Sequence, residues 1–510
     1  MKSENLINDL HGDEAANPVI ISGQLPKDAE ISGIHYSSAS VRPGGIFVAI
    51  KGTKSDGHDY IKDAISRGAV AVVAERSVDT GGVPLIIVRD SRRALARLAT
   101  TFHGNPSESL TIIVATGTNG KSTVSYFIES VLIAAGFSVG VIGTVNYRYA
   151  GKAVPSPMTT PDAADLQALL AEMRDGGVTH VVMEVSSHAL VQGRTLFCSI
   201  DVAVFTNLSQ DHLDYHKDME TYFGAKGILF TEYPSKNGNK TLISVVNGDD
   251  PYGLRLCGAI RTPLLRAGLA READIRGANV VADDSGIRGD IETPAGTVKV
   301  NSTLVGMHNY YNAMSATGVG CALGLAPSVI SEGIAALTLV PGRLERVENE
   351  LGRHVFIDYA HTPDALEKVL TSLNGIKTGR IITVMGCGGD RDRAKRPLMG
   401  AVAALLSDLL VITSDNPRTE DPEAIIAQII PGASLHKKEL PGGAFSETGF
   451  LVEPDRRRAI ALAIRATRPG DTVLVAGKGH EDYMIIGTQK RHFDDRQEAA
   501  RALADLGGGN

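Results

Sequence analysis

The stretch Thr111-Ile-Ile-Val-Ala-Thr-Gly-Thr-Asn-Gly-Lys-Ser-Thr123 decides the fold of this 510-residue chain. Its first half is a β-branched run typical of a buried strand, and its second half is a glycine-rich turn. Apolar residues recur at helical spacing behind the turn, and Gly136 marks the end of that predicted helix. A strand, a glycine turn and a helix N-terminus in this order form a site for a phosphate group.

The turn offers three kinds of contact to a phosphate. Backbone N–H groups and the positive helix end face the anion, Lys121 adds a point charge, and the hydroxyl of Ser122 can hold Mg²⁺. The match to the G-x-x-x-x-G-K-[ST] pattern is incomplete, because Ala115 stands where the first glycine is expected. Since the flanking strand and helix support the assignment, the chain is predicted to bind a nucleoside triphosphate.

Length and composition argue against several classes of protein. At 510 residues the chain is expected to form more than one domain. A formal net charge of −7, without a basic run, argues against a general nucleic-acid binder. The sequence has no apolar run of about eighteen residues and no signal-peptide core near Met1. The prediction is a cytoplasmic protein that has no membrane span and binds no nucleic acid.

Three segments are predicted from the alternation of apolar runs and turns. The first, residues 1–105, has short apolar runs at 46–50, 70–74 and 85–88, followed by a helix at Ser91–Phe102. The second, residues 106–342, alternates strands at 139–142, 178–185 and 202–206 with amphipathic stretches, as in a doubly wound parallel sheet. Its stretch 286–305 predicts an added antiparallel hairpin. The third, residues 343–510, has strands at 355–358, 381–385, 409–413 and 472–476.

Polar side chains directly follow two strands of the second segment. One strand ends at Glu184 before a Ser-Ser-His sequence, and the next ends at Thr206 before a loop that contains His212. Ligands of open α/β sheets bind at such strand ends. Glu184 is costly to bury unless it binds a cation or a base, so it is either a Mg²⁺ ligand, with His212 as a second ligand or an orienting group, or an ordinary strand-end carboxylate. The phosphate loop favours the Mg²⁺ site.

The third segment repeats this geometry at three strand ends. The turns there are Gly386-Cys-Gly-Gly-Asp-Arg391, Asp415-Asn-Pro-Arg418 and Gly477-Lys-Gly-His-Glu481. Arginine pairs with carboxylates in a bidentate way, and a glutamate can receive an ammonium group. Each turn alone is compatible with a plain polar loop, but together they predict a crevice for a small zwitterion.

These motifs resemble those of the Mur ligases of peptidoglycan synthesis. The similar sequences are Gly117-Thr-Asn-Gly-Lys121, Glu184-Val-Ser-Ser-His188, Asn207-Leu-Ser-Gln-Asp-His212-Leu-Asp-Tyr-His216, Gly306-Met-His-Asn309-Tyr-Tyr-Asn312 and Pro341-Gly-Arg343-Leu-Glu345. They come from all three segments in the family's order, so the resemblance covers nearly the whole chain. Folylpolyglutamate synthase is a more distant relative.

The resemblance implies an α/β chain of three domains. They are an N-terminal α/β UDP-binding domain (1–105), a central P-loop-type doubly wound ATPase domain (106–342) and a C-terminal Rossmann-like α/β domain that binds the amino acid (343–510). The implied reaction is ATP-dependent: ATP phosphorylates a substrate carboxylate to an acyl phosphate, and an incoming amine attacks it to form an amide. Mg²⁺ is required because two anions approach each other in the first step.

The family's ATP site falls on the phosphate loop and on three later positions. By resemblance Lys121 holds the phosphates, Ser122 and Glu184 serve one Mg²⁺, and His212 serves a second. The implied catalytic residues are Lys121, Glu184, His212 and Lys226. The implied ATP-binding residues are Gly117, Thr118, Asn119, Gly120, Lys121, Ser122, Thr123, Asn309 (near the adenine), Arg343 and Asp358.

Lys226 matches the lysine that the family carbamylates. A carbamate turns a cation into an oxygen ligand that suits a hard metal ion. Its sequence context alone predicts a solvent-exposed helix lysine, so both the modification and the metal role are implied only by the resemblance.

Further positions match those that grip the UDP-muramoyl dipeptide. In the first segment, Ser38 keeps the hydroxyl of the family's Asp-Ser-Arg motif, but Ala39 replaces its arginine. The remaining matching residues are Thr159, Thr160, Ser186, Gln192 and Arg194.

The acceptor amino acid is predicted from the turn at 415–418. Diaminopimelate has a far-end carboxylate that lysine lacks, so its site needs an extra cation, which Arg418 supplies. The family's diaminopimelate contacts fall on Arg391, Asp415, Asn416, Pro417, Arg418, Gly477 and Glu481. The resemblance therefore implies a monomeric ligase that joins meso-2,6-diaminopimelate to UDP-N-acetylmuramoyl-L-alanyl-D-glutamate.

Three alternatives stay open. Arg418 disfavours a lysine-adding ligase, and the matches at Gln192 and Arg194 disfavour a folylpolyglutamate synthase. A protein that uses ATP as a conformational switch, without forming a bond, would not need the acceptor crevice. ATP consumption that ignores both the amino acid and the UDP-dipeptide would favour this last alternative.

Overall fold

The computed structural model of the chain describes residues 1–12, 20–23, 25–52, 55–236, 238–441 and 448–508. These residues form two compact units, each built from separate stretches of the chain. Unit 1 comprises residues 1–117, 132–206 and 220–266, and unit 2 comprises residues 118–131, 207–219 and 267–510. The domain boundaries proposed near residues 105 and 342 stay predictions.

Unit 1 begins with a small α/β layer. Its elements are α1 (Ser3–Gly12), β1 (Ile20–Ser22), β2 (Ile34–His35), β3 (Ile46–Val48), α2 (Ile61–Ser66), β4 (Ala71–Ala74), β5 (Leu85–Ile87), α3 (Ser91–Phe102) and α4 (Pro106–Ser109). The strands lie in the order β1-β5-β4-β3-β2, and only the β1–β5 pair among them is antiparallel. Helix α3 has the predicted bounds, because Asp90 caps it by accepting a hydrogen bond from the N–H of Arg93 at 2.9 Å.

The chain then continues through the phosphate loop, and its next elements are divided between the two units. The elements are β6 (Thr111–Thr116), α5 (Lys121–Ala134), β7 (Val139–Ile142), β8 (Asn146–Tyr149), β9 (Lys152–Pro155), α6 (Ala163–Asp175), β10 (His180–Glu184), α7 (Ser187–Val191), β11 (Val202–Phe205), α8 (Leu213–His216), α9 (Met219–Thr231), β12 (Ile243–Asn247), α10 (Pro251–Ala259) and β13 (Leu264–Gly268). In unit 1 the strand order is β12-β11-β6-β10-β7-β8-β9, and the pairs from β12 to β7 are parallel. This order confirms the parallel α/β sheet and places the carboxyl ends of β6, β10 and β11 side by side.

Unit 2 contains the predicted hairpin. Its next elements are β14 (Ile275–Asp283), β15 (Gly286–Thr293), β16 (Gly296–Ser302), α11 (Met307–Ala322) and α12 (Pro327–Ala336). Strands β15 and β16 pair antiparallel from Ile287–Ser302 to Thr293–Gly296, so the hairpin is confirmed.

The rest of unit 2 is a doubly wound layer. Its elements are β17 (Glu345–Arg346), β18 (His354–Asp358), α13 (Pro363–Ile376), β19 (Ile381–Met385), α14 (Lys395–Leu406), β20 (Leu409–Ile412), α15 (Pro422–Ala433), β21 (Gly449–Val452), α16 (Arg456–Arg465), β22 (Thr472–Ala476), β23 (Tyr483–Ile486), β24 (Gln489–His492) and α17 (Asp495–Gly507). The strand order is β17-β18-β22-β19-β20-β21, and the pairs from β18 to β21 are parallel.

Both faces of this layer are buried, which explains why its strands are continuous apolar runs in the sequence. Ile381 and Met385 pack with the apolar side chains of α13, α14 and α15. Ile382 and Val384 point to the opposite face and pack with those of α16 and α17. Within the described ranges, no helix is both long and apolar enough to cross a membrane.

Candidate active site

The phosphate loop needs glycine at two positions. Gly117 and Gly120 have φ values of +146° and +85°, which favour glycine. A Cβ added at Gly120 would lie 2.6 Å from Oδ1 of Asn312. The amide of Asn312 donates to Oδ1 of Asn309 at 3.0 Å. Asn312 therefore shapes the loop, although it was not among the predicted residues; its i+3 spacing from Asn309 on α11 is the signal that could have identified it.

The loop is also anchored to residues 207–209. The N–H of Thr118 donates to the carbonyl of Asn207 at 2.8 Å, and the N–H of Asn119 donates to Oδ1 of the same residue at 3.0 Å. Lys121 Nζ donates to the carbonyl of Thr118 at 2.9 Å, which holds the ammonium beside the loop backbone. Ser122 and Thr123 are buried at the start of α5. Residues 118–123 of unit 2, which are predicted to contact a phosphate, thus form one hydrogen-bonded turn.

Arg343 reaches this turn from a later part of the chain. Its Nη2 donates to Oγ of Ser122 at 3.2 Å, and its guanidinium lies 4.6 Å from the ring centre of Tyr359. The carboxylate of Asp358 accepts hydrogen bonds from the N–H groups of Leu344 and Ala360, both at 2.7 Å. Burial raises the pKa of Asp358. Asp358 therefore fixes the backbone at Leu344, directly after Arg343.

Glu184 lies in unit 1, buried at the end of β10. Its two carboxylate oxygens accept hydrogen bonds from the N–H and the hydroxyl of Thr144, at 3.0 and 2.9 Å. A Cβ added at Gly143 would collide with this carboxylate, so the chain keeps the space beside it free of a side chain. Oxygen donors of this kind fit Mg²⁺.

Lys226 is buried on α9, so the prediction of a solvent-exposed lysine is wrong. Its Nζ donates to the carbonyl of Gly117 at 2.8 Å and lies 4.8 Å from the ring centre of Tyr222. The carbonyl partner comes 109 residues earlier in the chain, which explains why local sequence could not reveal the burial. The structure places this lysine directly behind the first glycine of the phosphate loop.

His212 immediately precedes α8 in unit 2, at the N-cap position, and is exposed. Its φ of +54° is unusual for a residue with a side chain, and its Nε2 lies 3.4 Å from Oδ2 of Asp211. Among the described residues, no group of three or more His, Cys, Asp or Glu side chains gathers as a metal site.

Most of the predicted UDP-dipeptide residues lie together in unit 1. The hydroxyl of Thr160 donates to the carbonyl of Glu184 at 3.0 Å and accepts from the N–H of Ser186 at 3.2 Å. Arg194 donates to the carbonyl of Thr160 at 2.8 Å and to Oε1 of Gln192 at 2.8 and 3.1 Å.

Two more of the predicted UDP-dipeptide residues are also in unit 1. The hydroxyl of Thr159 lies 3.0 Å from that of Thr144, the partner of Glu184. Ser38 lies apart, at the start of a 3₁₀ turn (Ser38–Ser40), where its hydrogen bond lowers the pKa of Asp63.

The three predicted acceptor turns lie side by side in unit 2, because they follow the neighbouring strands β22, β19 and β20. Gly477 has a φ of +117°, and a Cβ there would lie 2.5 Å from Oδ2 of Asp415. A Cβ at Gly388 would lie 2.9 Å from Nη1 of Arg418 and 3.8 Å from Cγ of Arg391. Arg391 and Arg418 are therefore both close to Gly388. The turns approach each other at glycines, where no side chain fills the space.

A hydrogen-bonded cluster links the turns after β20 and β22. The amide of Asn416 donates to Oε2 of Glu481 at 2.8 Å, and its Oδ1 accepts from the N–H of Ile485 at 2.9 Å. Lys478 Nζ lies 3.2 Å from the same Glu481 oxygen and 3.3 Å from Oδ1 of Asn416. Lys478, which was not among the predicted residues, is fully buried.

Two ion pairs hold residues that adjoin the predicted acceptor turns. Arg456 and Asp495 are both fully buried, 2.7 Å apart, and Arg456 donates to the carbonyls of Ser414 and Ala476, which immediately precede two of the turns. Arg396 pairs with Glu420 at 2.9 Å and lowers the pKa of Glu420 to about 2.

In unit 2 the loop that is predicted to contact ATP and the third predicted acceptor turn meet at two glycines. Gly342, with φ +64°, precedes Arg343, and a Cβ there would collide with the backbone of His480 in the third acceptor turn. A Cβ at Gly479 would lie 2.6 Å from Cβ of Tyr359, the residue that Arg343 covers. The loop that carries Arg343 and the loop that carries Glu481 are therefore in direct contact.

The sequence matches the family models named Mur ligase family, catalytic domain (residues 30–103), Mur ligase middle domain (115–320) and Mur ligase, glutamate ligase domain (342–479). A relative from Geobacter metallireducens, named UDP-N-acetylmuramoyl-L-alanyl-D-glutamate–2,6-diaminopimelate ligase, is 49% identical over 96% of this chain and 97% of its own length. A solved structure with the same enzyme name is 32% identical, with a TM-score of 0.67 over 95% of this chain and 97% of that one. The MurF ligase of Thermotoga maritima, solved with ADP, shares the fold at 20% identity and a TM-score of 0.63, over 94% of this chain and 100% of that one.

Proposed function

Because the chain belongs to the Mur ligase family, we propose that it is an ATP-dependent ligase that joins meso-2,6-diaminopimelate to UDP-N-acetylmuramoyl-L-alanyl-D-glutamate in peptidoglycan precursor synthesis. The observation that carries the proposal is the full-length similarity to relatives named for this reaction. The three predicted acceptor turns support it, because they follow neighbouring strands and carry two arginines and a glutamate.

The reaction forms an amide in two steps. A carboxylate oxygen of the UDP-dipeptide attacks the γ-phosphorus of ATP, so that an acyl phosphate forms and ADP leaves. The free amine of diaminopimelate then attacks the acyl carbon, the C–N bond forms, and inorganic phosphate leaves with loss of a proton from nitrogen. Bringing anionic reactants together is the main difficulty of the first step.

The chain meets this difficulty with fixed donors. The proposed phosphate ligands are the backbone N–H groups of residues 117–123 and the ammonium of Lys121, and Arg343 adds a cation whose position Asp358 maintains. Asn309, held through Asn312, is proposed to lie beside the adenine. Mg²⁺, when bound, neutralises phosphate oxygens; the residues proposed to hold it are Ser122, Glu184, His212 and the carbamate of Lys226.

The other two substrates are assigned to two separate sets of binding residues. Arg418 and Arg391 are proposed to pair with the carboxylates of diaminopimelate and Glu481 with an ammonium group, while Asp415, Asn416, Pro417 and Gly477 shape the turns. The UDP-muramoyl dipeptide is assigned to Thr159, Thr160, Ser186, Gln192 and Arg194, with Ser38 towards the nucleotide. The proposal includes the three domains 1–105, 106–342 and 343–510, a monomeric state and a cytoplasmic location.

A substrate-omission assay tests the function. Purified protein with ATP and Mg²⁺ is given the UDP-dipeptide, diaminopimelate or lysine, singly and in pairs, and both ADP and the nucleotide product are followed. Full ADP release is expected only with the UDP-dipeptide and diaminopimelate, with a product that gains one diaminopimelyl residue. A lysine-containing product would overturn the acceptor assignment. ATP consumption that is indifferent to both substrates would overturn the ligase activity.

A further inference from the structure

Lys478 is a buried cation inside the acceptor crevice. Its side chain is 0% exposed, and its Nζ lies within 3.3 Å of both Glu481 and Asn416. Its Nζ is 5.5 Å from the ring centre of Tyr483. Burying an ammonium is costly unless it is paired and hydrogen-bonded, and here both conditions are met. The pairing uses the same carboxylate that is proposed to receive the acceptor's ammonium.

Asn416, which contacts both Lys478 and Glu481, is linked to Arg418 through the backbone of Ile485. The N–H of Ile485 donates to Asn416, which holds Glu481, and the carbonyl of Ile485 accepts from the N–H of Arg418 at 3.0 Å. Lys478 and Glu481 are therefore joined, through Asn416 and Ile485, to the backbone of Arg418. Asp415, whose Oδ2 faces Gly477, is a second carboxylate of these turns, so Lys478 and Arg418 balance Glu481 and Asp415, and loss of Lys478 would leave the carboxylates in excess.

We propose that Lys478 is a specificity-determining positioning residue of the acceptor site, which orients Glu481 and selects an acceptor whose far end is a zwitterion over one whose far end is a lone ammonium. The inference rests on the proposed function. The far end of diaminopimelate carries an ammonium and a carboxylate and is neutral overall, whereas the far end of lysine carries only the ammonium. With Lys478 in place the cations balance the carboxylates, which suits a far end that is neutral overall; without Lys478 the excess of carboxylate charge would attract a lone ammonium.

The orienting role follows from the shared oxygen. Oε2 of Glu481 accepts from both Lys478 and Asn416, so its rotamer is fixed before the acceptor arrives. Tyr483 also hydrogen-bonds Glu481, so more than one neighbouring element holds the carboxylate. A fixed carboxylate loses less side-chain entropy on binding than a mobile one.

Lys478→Met tests the proposal, because methionine keeps most of the volume and removes the charge. Steady-state constants are measured for diaminopimelate, lysine and ATP. The ratio of kcat/KM for diaminopimelate to that for lysine is expected to fall by about tenfold or more, with KM for ATP changing less than about twofold. Lys490→Met is the matched control, since Nζ of Lys490 lies 3.5 Å from the centre of the same Tyr483 ring but on an exposed residue; its ratio should equal that of the wild type.

Two more variants test the role of Lys478 if Lys478→Met does not fold. Lys478→Gln retains a hydrogen-bond donor without the charge and is expected to lower the ratio as the methionine variant does. Lys478→Arg retains the charge and is expected to keep the ratio within about threefold of the wild type. An unchanged ratio in the neutral variants, or an equal fall in the arginine variant, would overturn the proposal. A wild-type protein that turns over no diaminopimelate would instead overturn the proposed function.

Discussion

The hydroxyl of Ser122 accepts a hydrogen bond from the guanidinium of Arg343, 3.2 Å away and 221 positions later in the chain. The first residue is proposed to hold Mg²⁺ and the second to contact ATP. Because Arg343 also covers Tyr359 and follows Gly342, whose backbone touches the third acceptor turn, one side chain connects the phosphate loop to the acceptor crevice.

Arg343→Met is expected to weaken the use of ATP more than the use of the acceptor. The loss of a charge-assisted hydrogen bond costs about 2 kcal/mol, or roughly thirtyfold in kcat/KM for ATP. Steady-state kinetics with ATP as the varied substrate checks this. Arg346→Met, an exposed arginine on the following strand, is the control and should leave the constants unchanged. Equal constants for Arg343→Met and the wild type would remove the proposed ATP contact.

Gly120→Ala is expected to abolish nucleotide binding, because the added Cβ would lie 2.6 Å from Asn312 and the backbone has a positive φ. Gly136→Ala separates these two causes. Gly136 has a similar φ of +82°, but no atom lies within 4 Å of an added Cβ, so only backbone strain remains, about 1 kcal/mol. Calorimetric titration with ATP should detect binding in the Gly136 variant only; binding by both variants would contradict the proposed loop geometry.

Lys226→Met is expected to eliminate ligase activity while the protein stays folded, if a carbamate on Lys226 is the functional group. The variant keeps the apolar stem beside Tyr222 and loses the nitrogen that a carbamate requires. Added formate or acetate, which offers a carboxylate in place of the carbamate, should restore part of the activity. Lys62→Met, on an exposed lysine, should behave like the wild type. Full activity of Lys226→Met without additives would contradict the assignment.

Arg418→Ala is expected to cut kcat/KM for diaminopimelate by a factor of about thirty or more, which corresponds to about 2–5 kcal/mol for loss of a charge contact. KM for ATP should change little, since Arg418 contacts the turn at Gly388 and Gly389 rather than the phosphate loop. Arg393→Ala removes an exposed arginine of the neighbouring turn and should have a small effect. Equal losses in the two variants would argue against a specific role for Arg418.

Glu420→Gln tests how the ion pair between Arg396 and Glu420 contributes to the stability of the fold as the pH changes. Hydrogen bonds from Arg396 lower the pKa of Glu420 from 4.5 to about 2. A carboxylate with a lowered pKa stabilises the fold above its unfolded-state pKa, and this contribution is lost as the pH falls from about 4.5 to about 2. The variant should therefore unfold more easily than the wild type at neutral pH, and the difference should shrink across that window. Urea unfolding at stepwise lower pH measures it, with exposed Glu423→Gln as the control.

Regular elements with local signals were predictable from the sequence. Helix α3 and strands β19 and β22 have the predicted bounds, since an Asp90 cap defines the first and continuous apolar runs define the others. The hairpin β8–β9 was missed, because β9 is exposed along its whole length and carries no apolar pattern.

Site residues whose partners are distant in sequence were not predictable. Lys226 is buried because Gly117 accepts its hydrogen bond. Lys478 lies in the motif Gly477-Lys-Gly-His-Glu481, but its contact with Asn416, 62 positions earlier, is seen only in the structure. The spacing of Asn312 from Asn309 on α11 can be read from the sequence, but the closeness of Asn312 to Gly120 depends on tertiary packing. The motif identifies the loop, and tertiary packing decides which side chains in it matter.

The pairing of Arg456 with Asp495 ties α17 to the turns that are proposed to bind the acceptor. Asp495 is the first residue of α17, and Arg456 holds the carbonyls of Ser414 and Ala476. A chain truncated before residue 495 would retain each side chain proposed to touch diaminopimelate, yet it would leave a guanidinium buried without its counter-ion. Tags and fusions at the carboxyl terminus are therefore best joined after α17, beyond the residues on which amino-acid recognition depends.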